Sequence, residues 1–224
     1  MKKQILTILT PLLAAFVAGC GGNVPTQQSA SLPTITSLKT ISDMTEVGFE
    51  WTPTNDENVL GYYLYRSNPN QPGSQMQIVA DIKDRYATHY VDTDLAPETT
   101  YSYQMRSYSA NAISAAGATA TATTKALMDS VPFAQAITGL PQRVKIIWRP
   151  HPEPVVASYV IERADKNSDN WSKIAEVKGR LNAEYIDTDV KSGRSYKYRI
   201  FIRTNSGILS KPSQILNAST KELP

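Results

Sequence analysis

Apolar and polar residues alternate along most of this chain. Tyr196, Tyr198, Ile200 and Ile202 stand against Lys197, Arg199, Phe201 and Arg203, and this period of two predicts a strand with one buried face. Tyr62 and Leu64 against Tyr63 and Tyr65 repeat the pattern. Thr, Val, Ile and Tyr fill such runs, whereas Pro, Asn, Gly and Asp fill the gaps between them. Beyond the first apolar run, no stretch has the 3.6-residue period of a long amphipathic helix. Short strands and turns spread over about 90 residues predict an antiparallel β-sandwich, so the expected class is all-β.

The pattern occurs twice. Val47 to Pro53, with Trp51, lines up with Val144 to Pro150, with Trp148, at an offset of 97. Gly61 to Arg66 lines up with Ser158 to Arg163 at the same offset. Tyr90-Val-Asp-Thr-Asp-Leu95 then matches Tyr185-Ile-Asp-Thr-Asp-Val190, and Tyr101-Ser-Tyr103 matches Tyr196-Lys-Tyr198, at an offset of 95. Two residues are therefore missing from one loop of the second copy. The early-strand tryptophan, the Tyr-x-aliphatic-x-Arg strand and the Leu95-x-Pro97-x-x-x-Tyr101 corner together resemble the fibronectin type III domain. The second copy departs from that corner at Val190 and Ser192 and keeps Tyr196. The resemblance implies two tandem immunoglobulin-like sandwiches with Trp51 and Trp148 in their cores. It also implies a corner tyrosine whose hydroxyl bonds upstream backbone. The expected division is a leader at 1–19, a lipidated cysteine and flexible spacer at 20–32, a first domain at 33–125, a linker at 126–131 and a second domain at 132–224.

The start of the chain differs from the rest. Lys2 and Lys3 precede an apolar run from Ile5 to Ala18, interrupted by Pro11. At about 14 residues the run is shorter than the roughly 20 needed to span a bilayer, and it has the layout of a secretory signal. Val17-Ala18-Gly19-Cys20 resembles the bacterial lipobox, which implies cleavage before Cys20 and acylation of that residue. Gly21, in place of the aspartate associated with inner-membrane retention, implies an outer-membrane location. Cys20 is the single cysteine, so the chain has no internal disulfide and no second thiol for catalysis or metal binding.

Charge separates the halves. Residues 33–125 hold 6 basic and 10 acidic side chains, net −4, and residues 126–224 hold 15 and 10, net +5. The residues offer little for catalysis. His89 and His151 fall at non-equivalent places in the two copies. The Asp92/Asp94 and Asp187/Asp189 pairs lack the further carboxylates of a calcium loop and read as turn caps. There is no phosphate loop and no nucleophile-elbow serine. The expectation is a protein without enzymatic activity, catalytic residues, cofactor or metal, and without nucleic acid as a partner.

Function then lies on surfaces. Lys197, Arg199, Phe201 and Arg203 are expected to line the outside of one sheet of the second domain and to suit an anionic or mixed partner. In the first domain Tyr63, Tyr65 and Tyr108 are expected to form an exposed tyrosine patch suited to protein recognition. Neither loop that could carry an Arg-Gly-Asp integrin motif has one. Domain type and anchor together resemble the surface fibronectin-like lipoproteins of Campylobacter-type bacteria, which implies an adhesin binding a host matrix protein such as fibronectin. Two alternatives are a periplasm-facing component of a secretion or flagellar machine and a carbohydrate- or wall-binding accessory. The sequence leaves partner, orientation and oligomeric state open.

Overall fold

A computed structural model describes residues 24–68 and 74–222. The leader and Cys20, with its expected lipid, lie outside the described residues. Fourteen strands make up the described secondary structure: β1 (Leu38–Ser42), β2 (Val47–Trp51), β3 (Gly61–Ser67), β4 (Gln77–Ile82), β5 (His89–Asp92), β6 (Thr100–Tyr108) and β7 (Ala120–Thr123), then β8 (Ala134–Ile137), β9 (Val144–Trp148), β10 (Val156–Asp165), β11 (Ser172–Lys178), β12 (Glu184–Asp187), β13 (Ser195–Thr204) and β14 (Leu216–Ser219). No described helix is long and apolar enough to cross a membrane.

All strand pairings are antiparallel, and the topology repeats. The first seven strands form sheets ordered β1-β2-β5 and β4-β3-β6-β7; the next seven form β12-β9-β8 and β11-β10-β13-β14. The fold is all-β, two tandem immunoglobulin-like sandwiches of the fibronectin type III kind. The residues of β13 alternate between half-buried and buried along its whole length. The inward set comprises Tyr196, Tyr198, Ile200, Ile202 and Thr204, and the residues between them face out.

Each core is built around its tryptophan. Trp51 meets Tyr62 edge-on at 5.5 Å between centroids, and Trp148 meets Tyr159 at 5.1 Å. Aromatic pairs of this kind add about 0.5–1.5 kcal/mol to the burial itself. The hydroxyl of each partner tyrosine ties two loops together. Tyr62 accepts from the Thr54 amide at 2.9 Å and donates to the Arg85 carbonyl at 2.7 Å. Tyr159 accepts from the His151 amide at 2.8 Å and donates to the Arg180 carbonyl at 2.6 Å. The corner follows the resemblance too: the Ala96 amide donates to the Tyr101 hydroxyl at 3.0 Å and the Lys191 amide to that of Tyr196 at 2.9 Å.

One expectation about a connecting segment is corrected. The segment expected to be a flexible spacer is held over its last part. Ser29 donates to the Ile113 carbonyl at 2.9 Å, Ile113 donates to the Gln27 carbonyl at 2.9 Å, and Leu32 is buried. In the linker, Ala126 is exposed, Leu127 and Met128 are half-buried, and Ser130 and Val131 are buried. Apolar burial and hydrogen bonds both tie the linker down, since Val131 belongs to the core of the second domain and Met128 packs against it. Met128 donates to the Met44 sulfur at 3.4 Å, and its carbonyl accepts from Lys211 at 2.9 Å.

Candidate interaction surface

The paired aspartates are structural, and they do more than cap turns. Asp92, on β5, receives Arg66, on β3, at 2.8 and 3.0 Å, and the Tyr103 hydroxyl at 3.0 Å. Asp187 receives Arg163 at 2.8 Å and the Tyr198 hydroxyl at 2.9 Å. Both carboxylates are buried and link one sheet of the sandwich to the other. A buried carboxylate needs such partners, because its desolvation would otherwise exceed any gain. The capping reading survives in part, since the Asp189 amide donates to Asp187 Oδ1 at 3.0 Å. Burial, and next the facing carboxylate, hold the Tyr103 and Tyr198 hydroxyls far above the usual tyrosine range. Among the described residues no group of three or more His, Cys, Asp or Glu side chains is placed to hold a metal. His89 is exposed at the start of β5, and His151 is buried in the loop after β9, where desolvation lowers its pKa.

The tyrosine patch of the first domain is covered. Tyr63 and Tyr108 retain 7% and 8% exposure, and Tyr65 is half-buried. Tyr63 and Tyr108 stack with centroids 4.3 Å apart, and the Tyr108 hydroxyl donates to Asp81 at 2.8 Å. Ile113 packs on them, and the segment Gln27–Ser29 clasps Ile113. The ring bodies are apolar enough to recruit a cover, and Asp81 satisfies the polar tip, so the set forms a small second core. The expectation of an exposed patch is therefore corrected for Tyr63 and Tyr108. Strand alternation predicts which sheet face they occupy and is blind to a loop folding over that face.

In the second domain the corresponding face carries a ladder. Lys197, Arg199, Phe201 and Arg203 are all half-buried on the outer side of β13. The Arg199 guanidinium lies 4.3 Å from the Trp171 ring centroid and 5.1 Å from that of Phe201. Lys197 Nζ stands 5.4 Å from the same indole. Every cation of the stripe has a carboxylate partner. Arg199 pairs with Glu162 at 2.6 Å, Lys197 with Asp169 at 2.9 Å, and Arg203 with Glu176 at 3.1 Å. Ser158 also donates to Glu176 at 2.7 Å, and Lys173 pairs with it. Hydrogen bonds from Lys173 and Ser158, with the Arg203 charge, hold the Glu176 carboxyl down at about 2.

The magnitudes say what this ladder is for. Exposed ion pairs contribute about 0–1 kcal/mol each, and exposed cation–π contacts about 0.5–1 kcal/mol. Neither is a large share of a domain's stability. Together they fix the planes of Trp171 and Phe201 and cancel the stripe's charge. The surface presents oriented aromatic and guanidinium groups, not the excess of positive charge that the sequence suggests. Trp171, Glu162, Asp169 and Glu176 escape sequence reasoning. Trp171 had one signal: it falls where the repeat offset changes from 97 to 95, and no aromatic stands opposite it in the first copy.

Comparison with known proteins is sparse in sequence. No protein-family model matches the chain. It is 25% identical over 208 residues to Exoglucanase B of Cellulomonas fimi, a match covering 90% of this chain and 18% of that protein. The chain thus spans under a fifth of the length of this relative. Among solved structures, the FN1–FN3 domains of chicken CNTN1 match with a TM-score of 0.37 and 13% identity, covering 84% of this chain and 67% of theirs. A segment of two fibronectin type III domains from chicken tenascin matches with a TM-score of 0.37 and 14% identity, covering 82% of this chain and 99% of that one.

Proposed function

We propose that this protein is a non-enzymatic, lipid-anchored protein-interaction module of the bacterial outer membrane, and that its partner docks on the outer face of β10, β11 and β13. The observation that carries the reading is the Trp171–Arg199–Phe201 ladder, held by Glu162. Tryptophan and arginine dominate the energetics of protein interfaces, and here their side chains are already ordered, which lowers the entropy lost on docking. Acyl chains on Cys20 supply the anchor, at about 0.8 kcal/mol for each buried methylene. A matrix protein of the fibronectin type is the partner class to test first.

The test is binding of the acylated protein to immobilised fibronectin, before and after replacing Arg199, Phe201 and Arg203 with serine. At least a tenfold loss, with the thermal transition retained, supports the reading. Unchanged capture removes the ladder from function. Protease treatment of intact cells distinguishes orientation: loss of the second domain places it outside the cell, and full protection favours an envelope component.

A second reading is favoured by the likeness to Exoglucanase B, which extends over nine-tenths of the chain. On that reading the chain is a carbohydrate-binding accessory, and retention on insoluble cellulose that Trp171→Ala abolishes would establish it.

A further inference from the structure

The cations of the second domain divide into two groups. Those of the β13 stripe are paired, whereas a recess at the end of the domain opposite the linker collects several that are not. The recess encloses about 780 Å³ between β10, the loop after β12 and the start of β13. Lys166, Lys191 and Arg194 line it. Among the described residues, none of these three side chains makes an ion pair or a side-chain hydrogen bond. Arg163, also in the wall, is committed to Asp187 and Asp189. Asp165 is the remaining acidic residue of the lining and Glu222 stands beside Gly193, so four cations against three carboxylates leave the recess a positive excess.

The recess continues. A second one of about 480 Å³ shares Lys166, Ser195 and Tyr196 with it and runs on to Thr138, Asn217 and Ser219. The two form a groove with cations at one end and hydroxyl and amide groups at the other. The first domain has no such chemistry at equivalent places. Ala96 stands where Lys191 does, Thr99 where Arg194 does, and Glu98 where Gly193 does.

We infer that this groove binds a strand of an acidic glycan. An anionic substituent would sit among Lys166, Lys191 and Arg194, and sugar hydroxyls would lie along Ser195, Asn217 and Ser219. A compact anion would use only the cationic end. The length and mixed lining of the groove favour an extended polyhydroxy ligand. Unpaired cations around a concave wall raise the local concentration of a polyanion, and salt weakens that attraction. The groove is separate from the ladder face and does not depend on the function proposed for it.

The probe is polygalacturonate, titrated at low salt into the full mature chain, with neutral dextran and inorganic phosphate as comparisons. Binding of polygalacturonate should weaken with salt. It should fall at least tenfold in a Lys166→Gln, Lys191→Gln, Arg194→Gln variant, whose exposed positions leave the fold intact by circular dichroism. The Arg199, Phe201, Arg203 serine variant should bind the polymer normally. Equal binding of dextran, an unaffected triple glutamine variant, or no binding of polygalacturonate overturns the inference. Inorganic phosphate binding as tightly as the polymer would mark a single-anion pocket and overturn it as well.

Discussion

One sheet face occurs twice in this protein and was put to two uses. Tyr63–Arg106 and Tyr65–Gln104 in the first domain occupy the register positions of Val160–Phe201 and Glu162–Arg199 in the second. Tyr108 opposite Gly61 corresponds to Arg203 opposite Ser158, and Asp81 to Glu176. Both faces therefore keep a polar contact across the intervening strand to the acid two strands away, through a hydroxyl in one and a guanidinium in the other. The difference is what lies above. Ile113 closes over the tyrosines, while its counterpart Leu209, bridged to Arg203 as Ile113 is to Tyr108, remains 37% exposed. A face of apolar rings is removed from water by folding a loop onto it. A face of charged pairs is stable uncovered and stays available for a partner.

The largest test of this comparison asks whether the interiors are as alike as the outer faces are different. Asp187→Ala, which strands the Tyr198 hydroxyl and leaves Arg163 only the exposed Asp189, should cost about 3–5 kcal/mol by urea unfolding of the full chain. Asp92→Ala should cost a comparable amount: the Arg66 side chain is more exposed, at 30% against 19% for Arg163, but among the described residues it has no second carboxylate partner such as Asp189. Equal and small losses would show that the buried pairs are not structural centres.

The covers come next. Ile113→Ala should cost about 2–3 kcal/mol and speed hydrogen exchange at the Ser29 and Ile113 amides. Leu209→Ala should cost under about 1 kcal/mol, as expected of an exposed side chain. If the two substitutions cost the same, the contrast between the faces is lost.

Backbone geometry offers a smaller contrast. Glu98 is held at φ 50° in the corner loop, where the second domain has Gly193 at φ 65°. A side chain in this region carries about 1–2 kcal/mol of strain. Glu98→Gly should therefore raise the stability of the first domain by about 1 kcal/mol, and Gly193→Glu should lower that of the second, each read as a shift in Tm.

The pH limbs are the finest test. The Glu176 carboxyl is depressed from 4.5 to about 2, so its contribution is present above pH 4.5 and is lost as pH falls toward 2. Glu176→Gln should flatten the acid limb of the second domain alone. The Tyr103, Tyr108 and Tyr198 hydroxyls are raised, first by burial. Their contribution is complete below about pH 10 and is lost as the medium becomes more alkaline. Two of the three lie in the first domain, so its alkaline limb should be the steeper, and Tyr108→Phe should reduce it.

Much of this could be read before any coordinates. The period-two runs and the duplicated blocks follow from short-range pattern, and the core tryptophans and the corner tyrosines Tyr101 and Tyr196 follow from the resemblance those blocks carry. The buried triads were half legible. Arg66, Asp92 and Tyr103 recur at Arg163, Asp187 and Tyr198, but repetition shows that positions matter without showing that they touch. The Asp-Thr-Asp spacing suggested a turn because turn chemistry is local, whereas the arginine that claims the carboxylate comes from the opposite sheet.

By itself, then, the chain determined its strands, its duplication and which side of each strand faces inward, because these depend on side-chain alternation over a few residues. Only the tertiary structure decided which outward groups remain available. Ile113 covering Tyr63 and Glu162 neutralising Arg199 are contacts between segments distant in sequence, and among the described residues Lys191 and Arg194 form no ion pair. Such contacts are set by how loops and sheets come together, and no local period encodes them.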